Sequence, residues 1–421
     1  MHKVYENFND LRTFIELQKR SEKKQNLSYM YSLCDFFGNP QKEFKSIHVG
    51  GTNGKGSTVT FIKSILLSEG YNVGTYISPY VVCFNERITL NDEYISNEDF
   101  IYYGNLVVGS FGELEKKGLR TPSFFEIMTL IAFLYFRDKK VDFAVIEVGI
   151  GGTLDATNVI DPIASVVASV SYDHMDILGS TLPEIWSNKL GIAKPFRPFI
   201  TFNNPEFNDQ IKEHCKQVNA KLIRPNKNDI QIASFEKGLT TFQYLNYEDL
   251  KIRLMGKHQV ENAVLAISVI QEISKSYQIS LKAIYQGLYK AFWPGRLEIL
   301  SDDPLIIIDG AHNIDGITRL NEFINTINDK KIRLIFAVSS NKEKDKMIEL
   351  IEQSVDEIIF THFMYKRSDE SINLFNLSKH KNKSIDDDLN NIIELVRSDK
   401  EKITIFCGSL FFISEVRTHF K

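Results

Sequence analysis

The sequence predicts an α/β protein of two domains, the first on a mostly parallel sheet and carrying a phosphate-type loop and a small β segment, the second smaller. Three observations predict it. Residues 44–58 read as an apolar strand, a turn with four glycines (Gly50, Gly51, Gly54, Gly56) around Lys55, and the start of a helix. Val141–Val148 and Ile163–Val170 are continuous apolar runs, the pattern of strands buried on both faces of a parallel sheet. After Trp293-Pro294-Gly295-Arg296, strand and helix patterns alternate afresh.

Bulk properties narrow the class. At 421 residues the chain is long enough for more than one domain. A composition 43% hydrophobic and 25% charged is that of an ordinary globular protein, and a net charge of −4 gives no reason to expect nucleic acid or an anionic membrane as partner. Cys34, Cys83, Cys215 and Cys407 have no metal-ligand or C-x-x-C spacing and read as reduced thiols, so a cytoplasmic protein is expected. Met1–Lys24 is too charged for a signal peptide. The most apolar run, Ile127–Phe136, falls far short of the ~20 residues that span a bilayer.

Taken in order, Tyr5, Phe8, Leu11 and Ile15 recur at helical spacing. A second helix, Leu27–Phe37, places Leu27, Met30, Tyr31 and Cys34 on one face and stops at Gly38-Asn39-Pro40. The strand and glycine turn follow, then a helix from Val59 that ends at Gly70. Val73–Ile77 is a strand broken by Ser78-Pro79, and the stretch to Ile88 has no period and reads as a loop. Ser96 with Asp99 starts a helix to about Lys117, and Ser123–Phe136 is an almost wholly apolar, central helix. Thr181 with Glu184 starts the helix that carries Lys189. Residues 230–254 alternate like β-hairpins, and His258–Ile273 returns to helix. Beyond the hinge come strands at Leu305–Ile308, Ile332–Val338, Ile358–Phe360 and Ile403–Phe406, with helices at Ile314–Ile327 and Phe411–Phe420.

The chemistry gathers where strands end. In the glycine turn, backbone N–H groups and a helix N-terminus can converge on phosphate, Lys55 adds a full charge, and the Ser57 hydroxyl can ligand Mg²⁺. The strict phosphate-loop pattern is not met, because Val49 replaces its first glycine and Gly56 separates Lys55 from Ser57. Ser78, Glu147 and His174 also follow apolar strands, and in open α/β sheets ligands gather at that edge. Glu147 either holds Mg²⁺ on a nucleotide or pairs with a basic group. His174 is a structural histidine or a nitrogen ligand. Lys189 by position alone is a surface lysine. Asp309, with Gly310 to Asn313, is either a turn or a second site at a strand end, and Arg296 either clamps phosphate or forms a structural ion pair.

The motifs H-V-G-G-T-N-G-K-G-S-T, S-P-Y-V-V-C-F-N-E-R-I, F-F-E-I-M-T-L-I-A-F, E-V-G-I-G-G-T-L-D-A-T-N-V-I, D-H-M-D-I-L-G, G-K-H-Q-V-E-N, W-P-G-R-L-E, D-G-A-H-N-I-D-G and C-G-S-L-F-F occur in that order from about Leu27 to Arg417. Together they resemble the folylpolyglutamate synthase family, which includes the bifunctional dihydrofolate synthase form and belongs to the Mur-ligase superfamily. The resemblance implies a Mur-ligase-type ATPase domain over 1–296, a Rossmann-like ligase domain over 297–421 and an active site in the cleft. It implies that Gly54, Lys55, Gly56, Ser57, Asn262, Arg296, Asp309 and His312 contact ATP. Ser57, Ser78, Glu147 and His174 would serve magnesium, two ions in the family's pattern, and Lys189 matches a lysine that is carbamylated in the superfamily. Lys55, Lys189, His174 and Arg296 would then be the catalytic set. A pterin pocket would draw on Leu27, Ser123, Phe124, Phe125, Glu126, Leu154, Asp155 and Ala156. The sequence departs from the pattern at Gly50, Ser123, Thr153, Asn188 and Ser340–Asp345. The activity implied is ATP-dependent addition of L-glutamate to a reduced folate, or to dihydropteroate, alone or in addition. Partners would be small molecules only, with a monomer favoured. A cell-wall Mur ligase fits less well, for want of a domain for a UDP-linked precursor. A non-catalytic nucleotide-binding regulator is the rival of another class.

Overall fold

The structure is a computed structural model that describes residues 4–19, 26–236, 238–327, 330–365 and 367–420. Part of the charged opening stretch, residues 1–3 and 20–24, therefore lies outside the described residues. Two compact units are drawn from Met1–Val170, His174–Asp229 and Asn262–Lys290, and from Ser171–Asp173, Ile230–Glu261 and Ala291–Lys421.

The first unit is built on an eight-stranded sheet. Its strands are β1 (Lys45–Gly50), β2 (Val73–Tyr76), β3 (Ile88–Leu90), β4 (Glu93–Tyr94), β5 (Phe143–Glu147), β6 (Ala164–Val167), β7 (Pro198–Ile200) and β8 (Lys221–Ile223). Their order is β4-β3-β2-β5-β1-β6-β7-β8, parallel from β2 through β8, with β3 and β4 added antiparallel at one edge. The chain leaves β1 for β2 on one side and leaves β6 for β7 on the other. The winding therefore reverses between β1 and β6, where open sheets form a crevice at the strands' carboxyl ends.

β1 and β5 are buried along almost their whole length, as their apolar runs require. The helix Phe124–Asp138 buries Ile127, Leu130, Ile131 and Phe133 in the core on one side, with Tyr76, Ala144 and Ile146 of the sheet. A separate apolar cluster around Trp186, Leu190, Phe199 and Ile211 packs Leu182–Leu190 and Asn208–Gln217 under β7. The helix Leu281–Lys290 lies against Lys55–Glu69, with the Ser64 hydroxyl donating to the Gly287 carbonyl at 2.7 Å.

The second unit holds a three-stranded antiparallel sheet of β9 (Ile230–Glu236), β10 (Leu239–Tyr244) and β11 (Tyr247–Ile252). Its six-stranded sheet comprises β12 (Glu298–Asp302), β13 (Leu305–Ile308), β14 (Lys331–Phe336), β15 (Glu357–Phe360), β16 (Lys383–Ile385) and β17 (Lys402–Cys407). The order is β12-β13-β17-β14-β15-β16, parallel except for β12. Helices such as Ile314–Ile324 and Lys344–Ile351 pack Ile317, Leu320, Met347 and Ile351 onto it.

Several boundaries differ from the sequence expectation. The phosphate-loop helix starts at Lys55, not Val59, because Gly54 turns into the left-handed region and its carbonyl already accepts the Thr58 N–H at 2.9 Å. In Ser28–Phe36, Leu33 is buried with Met30 and Cys34 while Tyr31 faces solvent. The stretch expected as a loop up to Ile88 contains a 3-10 turn at Phe84–Arg87 and runs into β3. The helix expected to reach Lys117 breaks at Ser110 into Asn97–Gly109 and Phe111–Lys116. β6 ends at Val167, so His174 stands farther beyond its strand than expected.

Candidate active site

In the first unit, register fixes the edge on which the expected residues gather. Val49 lies beside Glu147, Gly50 beside Val167 and Tyr76 beside Ile146. The turns that follow β1, β2, β5 and β6 therefore leave the sheet side by side. The β1 turn is tied to the β6 turn: Thr52 N–H donates to the Ser169 carbonyl at 2.6 Å, and Asn53 N–H to the Ser169 hydroxyl at 3.2 Å. At Gly54 (φ +84°), a Cβ would stand 2.4 Å from Asn262 Oδ1. Only glycine combines that backbone with so close an approach. Asn262 is thereby placed against the loop.

Lys55 reaches across this edge. Its Nζ donates to the Thr52 carbonyl at 3.1 Å and lies 3.8 Å from Glu147 Oε1. The other Glu147 oxygen accepts the Ser78 N–H at 3.3 Å. Ser57 and Glu147 are buried. One cation and one carboxylate, flanked by the Ser57 and Ser78 hydroxyl-bearing positions, thus meet at the sheet edge. His174, at the start of Met175–Leu178, is exposed and has φ +51°.

Lys189 is not the surface lysine its position suggested. It sits in the last turn of Leu182–Leu190 and is only 2% exposed. The turn after β5 runs directly over it, and a Cβ on Gly152 would stand 2.7 Å from the Asn188 carbonyl and 3.1 Å from Lys189 Cα. Thr153 reinforces the contact, donating both its N–H and its hydroxyl to the Asn188 carbonyl at 2.9 Å each.

The residues expected around a pterin divide into two kinds. Ser123 and Glu126 form a capping box, and Arg120 grips both Glu126 oxygens at 2.9 and 3.0 Å. Asp155 takes the Ile150 N–H on one oxygen and the Thr157 N–H, each at 3.0 Å, and the Thr157 hydroxyl at 2.5 Å on the other. These carboxylates shape their own loops. Leu27, Phe124, Phe125 and Leu154 remain partly exposed, with the Phe125 ring 5.8 Å from that of Tyr76, while Ala156 is fully buried.

The Asp155 turn is anchored from below. His48, fully buried on β1, places Nε2 2.8 Å from the Thr157 hydroxyl. That hydroxyl gives its proton to Asp155, so it accepts from His48 Nε2–H. Nothing in the sequence pattern singled out this chain of bonds.

In the second unit, Asp309 follows β13 and is buried. Its oxygens accept the Leu297 and Ala311 N–H groups at 2.9 Å each, while burial pushes its carboxyl upward against the pull of nearby Arg296. His312 Nδ1 lies 2.7 Å from the Gly310 carbonyl. A carbonyl only accepts, so Nδ1 carries the proton and Nε2 is left as an acceptor. Burial and the Lys342 ammonium push His312 down to about 4. Lys342, in the segment that departs from the family pattern, pairs with Asp173 at 2.9 Å, and the Asn313 amide also donates to Asp173, at 3.3 Å. Sequence spacing could not have found this cluster.

Comparison with known proteins agrees with this architecture. Residues 49–270 match the Mur ligase middle domain, and residues 298–419 match the dihydrofolate synthetase C-terminal domain. A dihydrofolate synthase/folylpolyglutamate synthase of Bacillus subtilis (strain 168) is 36% identical over 428 residues, covering 98% of this chain and 99% of the relative. The chain belongs to the folylpolyglutamate synthase/dihydrofolate synthase family. The crystal structure of the folylpolyglutamate synthase of Thermotoga maritima is similar with a TM-score of 0.87 at 32% identity, covering 98% of this chain and 96% of that one. A second solved structure, a folylpolyglutamate synthase complex with AMPPCP and folate, is similar at 29% identity and a TM-score of 0.85, covering 98% and 99%.

This member of the folylpolyglutamate synthase/dihydrofolate synthase family has an acid sensitivity built into its histidines. Burial holds His48 down to about 3, and burial with Arg319 and Arg296 does the same for His258, also about 3. With His312 at about 4, three histidines stay neutral in the fold but take up protons on unfolding below about 6.5. The unfolded state then binds more protons, so stability falls as pH drops from about 6.5 toward 4, by up to ~1.4 kcal/mol per pH unit per histidine. Asp309 opposes the trend, as one carboxyl against three imidazoles. The unfolding midpoint is expected to fall steadily between pH 7 and pH 5. A midpoint constant over that interval contradicts the buried-neutral assignment.

Proposed function

We propose that the protein joins L-glutamate to the γ-carboxylate of a reduced folate, converting ATP to ADP and phosphate. The observation that carries this is the edge where Lys55 faces Glu147 at 3.8 Å beside buried Ser57. It stands in a chain whose B. subtilis relative is named for both folate ligations. In this reading a folate γ-carboxylate oxygen attacks the γ-phosphorus of ATP, and ADP leaves. The α-amine of free glutamate attacks the acyl phosphate's carbonyl carbon, losing a proton, and phosphate departs with an amide in place. Lys55 spreads the charge on the transferring phosphoryl group, as phosphate-loop lysines do.

ATP contacts are assigned to Gly54, Lys55, Gly56, Ser57 and Asn262 in the first unit, and by motif to Arg296, Asp309 and His312 in the second. The oxygens of Ser57, Ser78 and Glu147 are hard donors that suit Mg²⁺, with His174 adding a nitrogen. Among the described residues no group of three or more His, Cys, Asp or Glu could hold a metal by itself. Magnesium bound here, two ions in this reading, would depend on phosphate oxygens as well and would neutralise charge on the phosphates. Lys189, as its carbamate, would add an oxygen ligand to that edge. The pterin is assigned to the surface around Leu27, Ser123 to Glu126 and Leu154 to Ala156. Matches over 49–270 and 298–419 support an ATPase domain over 1–296 and a ligase domain over 297–421. A cytoplasmic monomer is part of the same reading. No described helix is long and apolar enough to cross a membrane.

The bifunctional relative favours a second reading, in which dihydropteroate is also ligated. Phosphate release with Mg-ATP and glutamate, in parallel with tetrahydrofolate and dihydropteroate and with products identified by mass, separates the two. Turnover with both acceptors establishes the bifunctional form. Turnover with neither, in protein that binds ATP, overturns the ligase reading in favour of a nucleotide-binding regulator.

A further inference from the structure

Arg87 is a buried cation with no ion-pair partner within 4 Å among the described residues; the Glu16 and Glu86 carboxylates act on it only through space. The residue is 9% exposed, and its Nε has no hydrogen-bond partner. Among the described residues its side chain forms no ion pair, and its contacts are ring faces. The guanidinium carbon stands 5.2 Å from the Tyr80 ring centre, 5.4 Å from that of Phe124 and 5.7 Å from that of Phe84. Ring faces compensate a cation weakly and leave its N–H donors unused. Burying a charge in this way is costly without a partner.

The surrounding turn holds the residue firmly. Glu86 accepts the Val81 and Val82 N–H groups at 3.2 and 2.6 Å. The Arg87 carbonyl accepts the Ile77 N–H at 2.9 Å, one residue before Ser78, whose own N–H reaches Glu147. Arg87 is thus fastened to the carboxyl end of β2, on the sheet edge that carries Lys55 and Glu147. Phe124, against which it stacks, starts the helix whose first turn is assigned to the pterin surface. A second guanidinium, Arg12, covers the Phe84 ring at 4.8 Å and donates to the Tyr80 hydroxyl at 3.3 Å, but it is already paired with Glu16. Arg12 is bonded to its carboxylate, whereas Arg87 feels Glu16 and Glu86 only through space, so its guanidinium fork is open to a further anion. An arginine fork matches a carboxylate with two parallel N–H bonds.

We infer that Arg87 binds a carboxylate on the aminobenzoyl-glutamate part of the folate substrate, in an aromatic slot walled by Tyr80, Phe84 and Phe124. The inference rests on the folate-ligase reading and adds a specificity residue to it. Bound substrate places a carboxylate directly on the open fork, so the slot selects for acceptors with an anionic tail.

Arg87→Met tests this, because methionine keeps the apolar packing and removes the charge. The KM for tetrahydrofolate is expected to rise ten-fold or more, with the KM for ATP within two-fold and kcat within about three-fold of the unaltered enzyme. The thermal unfolding transition, measured beside these constants, establishes that the methionine variant is folded. Arg87→Lys, which retains the charge without the fork, should fall between the two and serves if the methionine variant does not fold. Binding of p-aminobenzoylglutamate should be lost in Arg87→Met while binding of 6-hydroxymethylpterin is kept. An unchanged folate KM in the folded variant overturns the inference, as does selective loss of the pterin probe. Absence of folate turnover in the unaltered enzyme would instead overturn the ligase reading, and the two failures cannot be confused.

Discussion

Replacing Lys55 with alanine is expected to lower kcat by about 10²–10³-fold, a loss of about 3–4 kcal/mol of transition-state stabilisation. The protein should still fold. The loop's shape depends on the left-handed Gly54 and on the bonds from Thr52 and Asn53 to Ser169, none of which uses the lysine side chain. What the lysine does contribute is charge. Among the described residues its Nζ bonds to the Thr52 carbonyl at 3.1 Å and stands off Glu147 at 3.8 Å, so it can move onto a phosphate. Removing it takes a cation from beside buried Glu147, which should lower the unfolding midpoint by a few degrees. Lys55→Met separates the two effects by keeping the stem. Rate is read as phosphate release at saturating substrates and folding as the thermal transition. A folded alanine variant within three-fold of normal turnover would remove Lys55 from the phosphate site.

The strand, glycine turn and helix around that lysine were legible because the signals are local. An apolar run, glycines and a resumed helical period lie within fifteen residues or so, a span over which neighbours dictate conformation. Where the helix begins was not legible. Gly54 to Thr58 is poor in helix formers, and the first turn owes its place to the loop's geometry. β3 was missed for the same kind of reason. Three residues offer no period, and Ile88–Leu90 becomes a strand only because β2 presents an open edge. In Ser28–Phe36, spacing alone could not choose between Tyr31 and Leu33, and burial of the purely apolar side chain decided it.

The candidate site divides along the same line. Glu147 ends β5, and Lys55, Ser57 and Ser78 lie in the turn and helix start just beyond β1 and β2, so the sheet order that puts β2, β5 and β1 side by side also gathers these residues at one edge. Contacts that depend on folding at a distance left no mark on the sequence. Asp173 and Lys342 meet across a separation of 169 residues, and His48 reaches Thr157 across 109. Arg87 lay inside a recognised motif, yet what distinguishes it is the partner it lacks, and a sequence cannot display an absence of that kind. Glu126 and Asp155, matched to the pterin surface by motif, also hold their own loops in place, a second role that the motif did not reveal.

Lys189 carries the second large expected effect. The residue is only 2% exposed and lies under the turn that follows Glu147, the strand end to which magnesium is assigned. A cation is the wrong group beside a metal. Addition of CO₂ to the neutral amine forms an N–C bond, releases a proton and leaves a carbamate, which turns the lysine into an anion with two hard oxygen donors. Lys189→Ala should therefore lose about 10- to 100-fold in kcat, the range seen when a metal site loses a supporting group. Part of the loss should return on adding acetate or formate, which can place a carboxylate in the space vacated by the side chain. Lys189→Arg keeps the positive charge and cannot be carbamylated in the same way, so it should be as poor as alanine and refractory to rescue. On the unaltered enzyme, ¹³C-labelled bicarbonate should give a carbamate resonance that Lys189→Ala lacks. If alanine and arginine variants both turn over within three-fold of normal, or if the label never appears on the unaltered enzyme, Lys189 is a packing residue and the metal edge is complete with Ser57, Ser78, Glu147 and His174.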